Sequence, residues 1–205
     1  MNKKEKLALF LGMLSGDGCL SITSNREGYR QYPIQFYNND KEKVELFDNL
    51  FYDLFGIHGN IHSRKRPNRK EIWEFKKLSV KITKELREIG FPEGVKRDIL
   101  RIPYMIKNGT KKQKLAFIYG IIITDGSLKK NRGLMFHLGS KLFIKDLSLL
   151  ISEFTGKIKP VREFTQRKIY KSYQLYLNKE EKELLLNKSP LGTMVLRQSW
   201  VEKYS

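Results

Sequence analysis

A single cysteine in 205 residues (Cys19) excludes an intramolecular disulfide and a cysteine-rich zinc site, and a reducing compartment is its natural setting. Acidic residues are scarce: 22 Asp and Glu stand against 40 Lys and Arg, a formal net charge of +18. Such an imbalance raises the potential around the whole molecule and draws polyanions, nucleic acid first and an anionic membrane surface second. Long apolar runs are missing too, since none approaches the roughly 18 residues of a membrane-spanning helix. Three histidines (His58, His62, His137) are scattered without metal-ligand spacing and suit packing and local contacts. What is present is ample core material, 40% hydrophobic and 12% aromatic, for one compact globular domain or two small ones.

The opening MNKKEK followed by LALFLGMLSGDGCL has the outline of a secretory leader. The same stretch occurs twice, however: KLALFLGMLSGDGCL (6–20) returns as KLAFIYGIIITDGSL (114–128) at an offset of 108. Lys6/Lys114, Leu7/Leu115, Ala8/Ala116, Gly12/Gly120, Asp17/Asp125, Gly18/Gly126 and Leu20/Leu128 are identical. A leader has no reason to recur in mid-chain, and an acid two residues before the cysteine is wrong for a cleavage site of small residues. The expected location is therefore intracellular, in a cytoplasm or an organellar matrix. A weaker second match sets 34–56 beside 134–156 at an offset of 100, pairing Phe36 with Phe136 and Lys41 with Lys141.

Apolar periodicity and turn residues give both halves the order α-β-β-α-β-β-α. The first half reads helix 4–16, strands near 18–24 and 31–38 joined at REGYR, and helix 41–55. Strands near 60–66 and 71–77 joined at RPNRK and a helix at 80–89 complete it. The second reads helix 111–124, strands near 126–131 and 133–139, helix 141–155, strands near 157–165 and 170–177, and helix 179–187. Residues 1–92 and 111–205 are the two halves and 93–110 the linker, an α+β architecture.

Ala8, Gly12 and Gly16 fall on one helical face, as do Ala116, Gly120 and Thr124, and small residues at that spacing let two backbones approach closely. Close packing explains the glycines. It does not explain an acid at each helix's C-terminal end, where the helix dipole disfavours negative charge and paired acids repel. A divalent cation held by the Asp17 and Asp125 carboxylates removes both objections.

FLGMLSGDG (10–18) and IYGIIITDG (118–126) resemble the two copies of the LAGLIDADG motif, and the duplicated chain resembles the single-chain homing endonucleases of that family. Both copies depart at the sixth position, where Ser15 and Ile123 replace the usual Asp, a helix position outside the chemistry. The resemblance implies two pseudo-symmetric αββαββα halves packed through paired motif helices, with antiparallel sheets forming a DNA-binding saddle. It implies a monomer that cuts double-stranded DNA at a long asymmetric site, across the minor groove, leaving 3′ overhangs. Asp17 and Asp125 would bind catalytic Mg2+, with Mn2+ or Ca2+ able to occupy the same sites, and the carbonyls of Gly16 and Thr124 would add ligands. Two metals then activate a water and stabilise the departing 3′ oxygen. A lysine near each scissile phosphate is also implied: Lys96 in Gly94-Val95-Lys96 fits, and Lys188 fits less well. Lys41 and Lys141 are rivals, preceded by Asp40 and Ser140 where relatives place a residue that orients water. Carriage by an intron or as a free-standing gene is expected, because no protein-splicing sequence flanks the motif-bearing region.

DNA contacts are expected from the hairpins. IHSRKRPNRK (61–70) carries Arg64, Lys65, Arg66, Arg69 and Lys70 without an acid, and 157–171 carries Arg162, Gln166, Arg167, Lys168 and Lys171. Arg26, Arg30 and Gln31, and Lys129, Lys130 and Arg132, form shorter clusters. A two-stranded ribbon fits the major groove, where Arg reads guanine and Gln reads adenine while other cations meet phosphates. Trp73 and Phe75 read as core beneath the sheet. Two further classes compete: a maturase that assists RNA splicing or a non-catalytic DNA-binding relative, neither of which needs the acid pair, and a basic membrane-surface protein. The last leaves the repeat unexplained and lacks a basic amphipathic helix with a broad apolar face.

Overall fold

The computed structural model of the chain describes residues 1–65, 67, 70–128, 133–166 and 170–187. The first half runs α1 (Lys3–Asp17), β1 (Gly18–Leu20), β2 (Thr23–Ser24), β3 (Arg30–Gln31), β4 (Pro33–Asn38), α2 (Lys41–Phe55), β5 (Asn60–Arg64), β6 (Ile72–Leu78) and α3 (Val80–Glu88). A one-turn helix, α4 (Tyr104–Lys107), lies in the linker. The second half runs α5 (Lys111–Asp125), β7 (Gly126–Leu128), β8 (Leu134–Leu138), α6 (Lys141–Thr155), β9 (Val161–Gln166), β10 (Tyr170–Leu177) and α7 (Lys179–Leu186).

Local chemistry sets these boundaries. Asn2 with Glu5, Thr110 with Gln113 and Asn178 with Glu181 form reciprocal capping boxes that satisfy the free N–H groups at the starts of α1, α5 and α7. Asp40 and Ser140 cap α2 and α6, and both helices stop at a glycine in the left-handed region, Gly56 and Gly156, each with φ 73°.

Each half folds an antiparallel sheet over its helices, ordered β1-β4-β6-β5 and β7-β8-β10-β9. The register repeats at an offset of 100: Phe36 pairs with Phe75 and Phe136 with Leu175, Ile61 pairs with Phe75 and Val161 with Leu175. Strand alternation sends Ile34, Phe36 and Phe75 inward with Leu134, Phe136 and Leu175. Phe36 stacks on Phe47 of α2 at 4.3 Å between ring centroids, and Phe75 meets Phe47 edge-on at 5.1 Å.

Three strands differ from the sequence expectation. The stretches 18–24 and 31–38 are both broken: β1 and β4 join the main sheet, while β2 pairs with β3 in a separate two-stranded arm. Asn25 Oδ1 accepts from the N–H groups of Glu27 and Tyr29 and bends the arm back. The expected strand 157–165 begins only at Val161. Both backbone groups of Lys159 are bound to Ser148 Oγ, at 2.8 and 3.1 Å, and Pro160 has no N–H to give a ladder. At the equivalent place in the first half Asp48 accepts from the Gly59 N–H, also at 2.8 Å.

Helices α1 and α5 lie side by side between the halves, so α1 buries Ala8 through Ser15 without interruption, as expected of a helix enclosed on all sides. Gly12 and Gly120 form the crossing. A Cβ on Gly12 would stand 2.2 Å from the Phe117 carbonyl oxygen, and one on Gly120 would stand 2.4 Å from that of Leu9. The linker is tied to the second half by buried Asp146 of α6, which accepts from Arg101 at 2.8 and 2.9 Å and from the Ile102 N–H, and pairs with Lys107 at 2.9 Å.

Candidate active site and nucleic-acid face

The glycine crossing carries the two helices to a common end. Asp17 is the last residue of α1 and Asp125 the last of α5. A Cβ on Gly16 would lie 2.5 Å from Asp125 Oδ2 and 2.0 Å from Thr124 Oγ1, so the residue preceding Asp17 sits directly against the other carboxylate. The two acids therefore share one seam. Burial pushes the Asp125 carboxyl up to about 7, the Asp17 charge adds to the shift, and Lys96 and a hydrogen bond from Thr124 offset part of it. Asp17 is raised as well, by burial, against the hydrogen bond from Asn38 Nδ2 at 2.6 Å and the charges of Lys43 and Lys96.

Lys96 reaches into this seam from the linker. Its ammonium donates to the carbonyls of Leu14 at 3.2 Å, Ser15 at 2.7 Å and Gly18 at 2.6 Å, and also to that of Gly16. The Ser15 and Gly16 oxygens are among the acceptors that the end of α1 leaves without a helical partner, and a cation there opposes the dipole that disfavours Asp17. Burial lowers the Lys96 ammonium to about 8, against the pull of Asp125 and Asp17. The Gly16 carbonyl thus already has a donor in Lys96, while Thr124 Oγ1 bonds back to the carbonyls of Gly120 and Ile121 at 3.2 Å.

A cleft of about 740 Å3 opens over Asp17, lined by Asn38, Asp40, Lys43, Lys70 and Thr124 among others. Its counterpart over Asp125, about 360 Å3, is lined by Gly16, Lys96, Leu138, Ser140 and Phe143 among others. The repeat offset places Leu138 where the first half has Asn38, and Phe143 where it has Lys43. The two acids consequently have unlike surroundings, polar at Asp17 and largely apolar at Asp125. Among the described residues no group of three or more His, Cys, Asp or Glu side chains converges to hold a metal. Two carboxylates with neighbouring carbonyls suit Mg2+ or Ca2+ when a substrate phosphate and water complete the coordination.

Asp40 and Ser140 have structural work as helix caps: Asp40 Oδ1 accepts from the Glu42 N–H and Ser140 Oγ from the Phe143 N–H. Asn38, two residues before Asp40, is the polar side chain on Asp17. Lys41 pairs with Glu45 at 2.9 Å and lies over the Trp73 ring at 5.2 Å, and Lys141 lies over Tyr173 at 5.9 Å and pairs with Glu163 at 3.5 Å. The lysine acting on the acids from α2 is Lys43. Identity between the repeats singled out Lys41 and Lys141 because both halves share that packing role. Lys43 escaped because its partner position is Phe143.

Arg26, Arg30, Lys65 and Arg162 are exposed on the arm and on the main hairpins, as is Lys70 beside the Asp17 cleft, and Gln31 is partly buried on β3. Arg64 is bound to Glu74. Lys171 pairs with Glu163 at 2.8 Å and has the strand parity of Tyr173, which places it on the helix side of the sheet, with its side chain exposed. Arg66, Arg69, Lys129, Lys130, Arg132, Arg167, Lys168 and Lys188, with the side chain of Gln166, lie outside the described residues.

Paired helices that end in acids at one seam, each feeding a strand of its own antiparallel sheet, define the duplicated LAGLIDADG architecture. The chain belongs to that family: the model of the LAGLIDADG-like domain matches residues 4–90 and 112–189. A DNA polymerase of Thermococcus kodakarensis is 26% identical over 148 residues, covering 72% of this chain and 8% of that protein. One A-type ATP synthase subunit, from Pyrococcus abyssi, is 30% identical over 129 residues, 63% of this chain and 11% of that protein. The chain thus spans only 8% and 11% of the length of these curated relatives. Among solved structures, variants of the homing endonuclease I-DmoI superpose with TM-score 0.70 at 16% identity, covering 93% of each chain. I-DmoI in complex with DNA and Ca superposes at 0.68, also at 16% identity and 93% of each chain. Other I-DmoI complexes with DNA were obtained with Mn or Mg. This likeness establishes a shared fold.

Proposed function

We propose that the protein is a divalent-metal-dependent endonuclease that hydrolyses both strands of double-stranded DNA at a long, asymmetric site. The observation that carries this reading is the placement of Asp17 and Asp125 at equivalent ends of two touching helices, in a molecule of net charge +18. Such a pair is costly in itself and useful only with a cation. The solved structures of I-DmoI with DNA and Ca, on the same fold, support the choice of cation and substrate.

Asp17 and Asp125 would hold the metal, Mg2+ being the assignment for the cell, with the Gly16 and Thr124 carbonyls adjacent. When bound it supplies an activated water and charge stabilisation for the departing 3′ oxygen. Asn38 fixes the Asp17 carboxylate by its 2.6 Å bond. Lys96 holds the end of α1 in place and brings positive charge to a position where a phosphate would approach. The open sheet faces and the Arg26–Arg30 arm would follow the backbone of the duplex, and because the halves carry different side chains the target need not be palindromic. The matched segments are small parts of a polymerase and of an ATP synthase component, which supports a self-contained module. An intracellular setting, where DNA is at hand and Cys19 stays reduced, follows from this reading.

Cleavage of a randomised DNA library with Mg2+, followed by sequencing of the ends, tests it. Enrichment of one long sequence is expected, with Asp17→Asn losing double-strand cleavage while keeping salt-sensitive DNA binding. Normal cutting of both strands by Asp17→Asn refutes the assignment. Binding without cleavage by the wild-type chain would favour the non-catalytic or RNA-splicing reading.

A further inference from the structure

The open face of the first sheet contains a buried acid that the nuclease reading does not use. Glu74 of β6 is 2% exposed, yet it lies opposite the core, with Phe75 next to it facing the helices. It pairs with Tyr37 on β4 and His62 on β5. Three side chains bind its carboxylate: Gln35 Nε2 at 3.0 Å, His62 Nε2 at 3.1 Å, and the Arg64 guanidinium. The Tyr37 phenol beside it is pushed up to about 12, by burial and then by the Glu74 charge.

Packing alone does not call for this charge. The register places Gln174 at the equivalent position of the second half, opposite His137 and Arg162, with Met135 and Phe164 where the first half has Gln35 and Arg64. A neutral residue therefore fits the same place in the same fold. A carboxylate on a face meant for a polyanion repels the ligand unless it organises something the ligand needs.

What it organises are two side chains suited to reading bases. With its amide N–H on Glu74 and its carbonyl accepting long hydrogen bonds from Cys19 Sγ at 3.7 Å and Ser21 Oγ at 3.5 Å, Gln35 is held in one amide orientation, its carbonyl fixed as the acceptor. With part of its fork on Glu74, Arg64 keeps its remaining N–H donors in a defined plane. A fixed acceptor beside a fixed donor set distinguishes base edges in the major groove, whereas a freely turning Gln accepts either pattern and a free Arg moves to the nearest phosphate. We propose that Glu74 is a positioning residue for sequence readout, holding Gln35 and Arg64 so that the first half discriminates one defined base step. This inference rests on the DNA-cleavage reading above, and it accounts for the different side-chain set of the second half.

The test is a single-substitution scan of the selected target, in which wild type, Glu74→Gln and Arg64→Lys are compared at every position. Glu74→Gln introduces the residue the second half already carries at this register, and a melting curve checks its fold. Discrimination is expected to fall about 5- to 150-fold at one or two adjacent base pairs under the first sheet, the loss of one good bidentate contact. Arg64→Lys, which keeps the charge but not the fork, should lose discrimination at the same step. Positions read by the second half should not change. An unchanged profile in Glu74→Gln, a loss spread evenly over both half-sites, or losses at positions unrelated to those of Arg64→Lys overturns the inference and leaves the endonuclease standing. If Glu74→Gln does not fold, a normal profile in Arg64→Lys overturns it. A wild-type chain that selects no sequence overturns both.

Discussion

The helix crossing offers the sharpest perturbation. In Gly12→Ala the new Cβ falls 2.2 Å from the Phe117 carbonyl oxygen and 3.0 Å from the Gly120 Cα, both backbone atoms that cannot rotate away. An ordinary contact needs roughly 3.5 Å, so α1 and α5 must part by about 1 Å at the crossing. Gly120 leaves no slack, since its own Cα face already meets the backbone of Leu9 and Met13. Overpacking of this kind costs about 1–3 kcal/mol, and with both backbones engaged the upper end applies. For a chain of this size each kcal/mol lowers Tm by about 2–4 °C, so a fall of roughly 6–12 °C is expected in calorimetry. The same displacement separates the Asp17 and Asp125 carboxylates, and a misplacement of about 1 Å costs on the order of a hundredfold in rate. Single-turnover cleavage should drop accordingly at a temperature where the variant is fully folded. A variant that melts within about 2 °C of wild type and cuts at the wild-type rate refutes the packing account of the motif.

Two further outcomes follow from the electrostatics. In the absence of DNA, Ca2+ at a hundred times its dissociation constant should stabilise the fold by about 2.7 kcal/mol and raise Tm by roughly 5–10 °C. Asp125→Asn should abolish that rise, and a full rise in the variant would place the ion elsewhere. Asp146→Ala removes the carboxylate that binds Arg101, Lys107 and the Ile102 N–H. With Arg101 half exposed, screening leaves about 2 kcal/mol of loss, or roughly 4–8 °C in Tm at neutral pH. Burial alone would raise the Asp146 carboxyl, but the bonds from Arg101 and Lys107 win and hold it below the ordinary carboxylate range. Its contribution is therefore complete above the unfolded-state value and is lost as pH falls through the depressed folded-state value. The gap between wild type and Asp146→Ala should close in strong acid, and a constant gap contradicts the ion-pair origin.

Much of this molecule was legible in one dimension because its determinants are local or periodic. The repeated small-residue spacing of Gly12 and Gly120 announces two helices that touch, and an acid placed against a helix dipole announces a cation. Asp40, Ser140, Gly56 and Gly156 bracket α2 and α6 through groups only a few residues away. What the sequence left open depends on partners far along the chain. Lys96 binds carbonyls about eighty residues earlier, so no local pattern indicates that it closes α1. Lys43 acts on Asp17 and Asp125 where its repeat partner is Phe143, a difference that comparison of the halves conceals. Strand parity set Lys171 on the helix side and Glu74 on the open face, and only pairing across the sheet shows that Glu74 gathers Gln35, His62 and Arg64. Sequence alone thus determined the duplicated helices and their acids, since those follow from spacing and charge along the chain. The tertiary structure decided which cations reach the acids and which side chains face a duplex, because proximity there comes from sheet register and helix crossing.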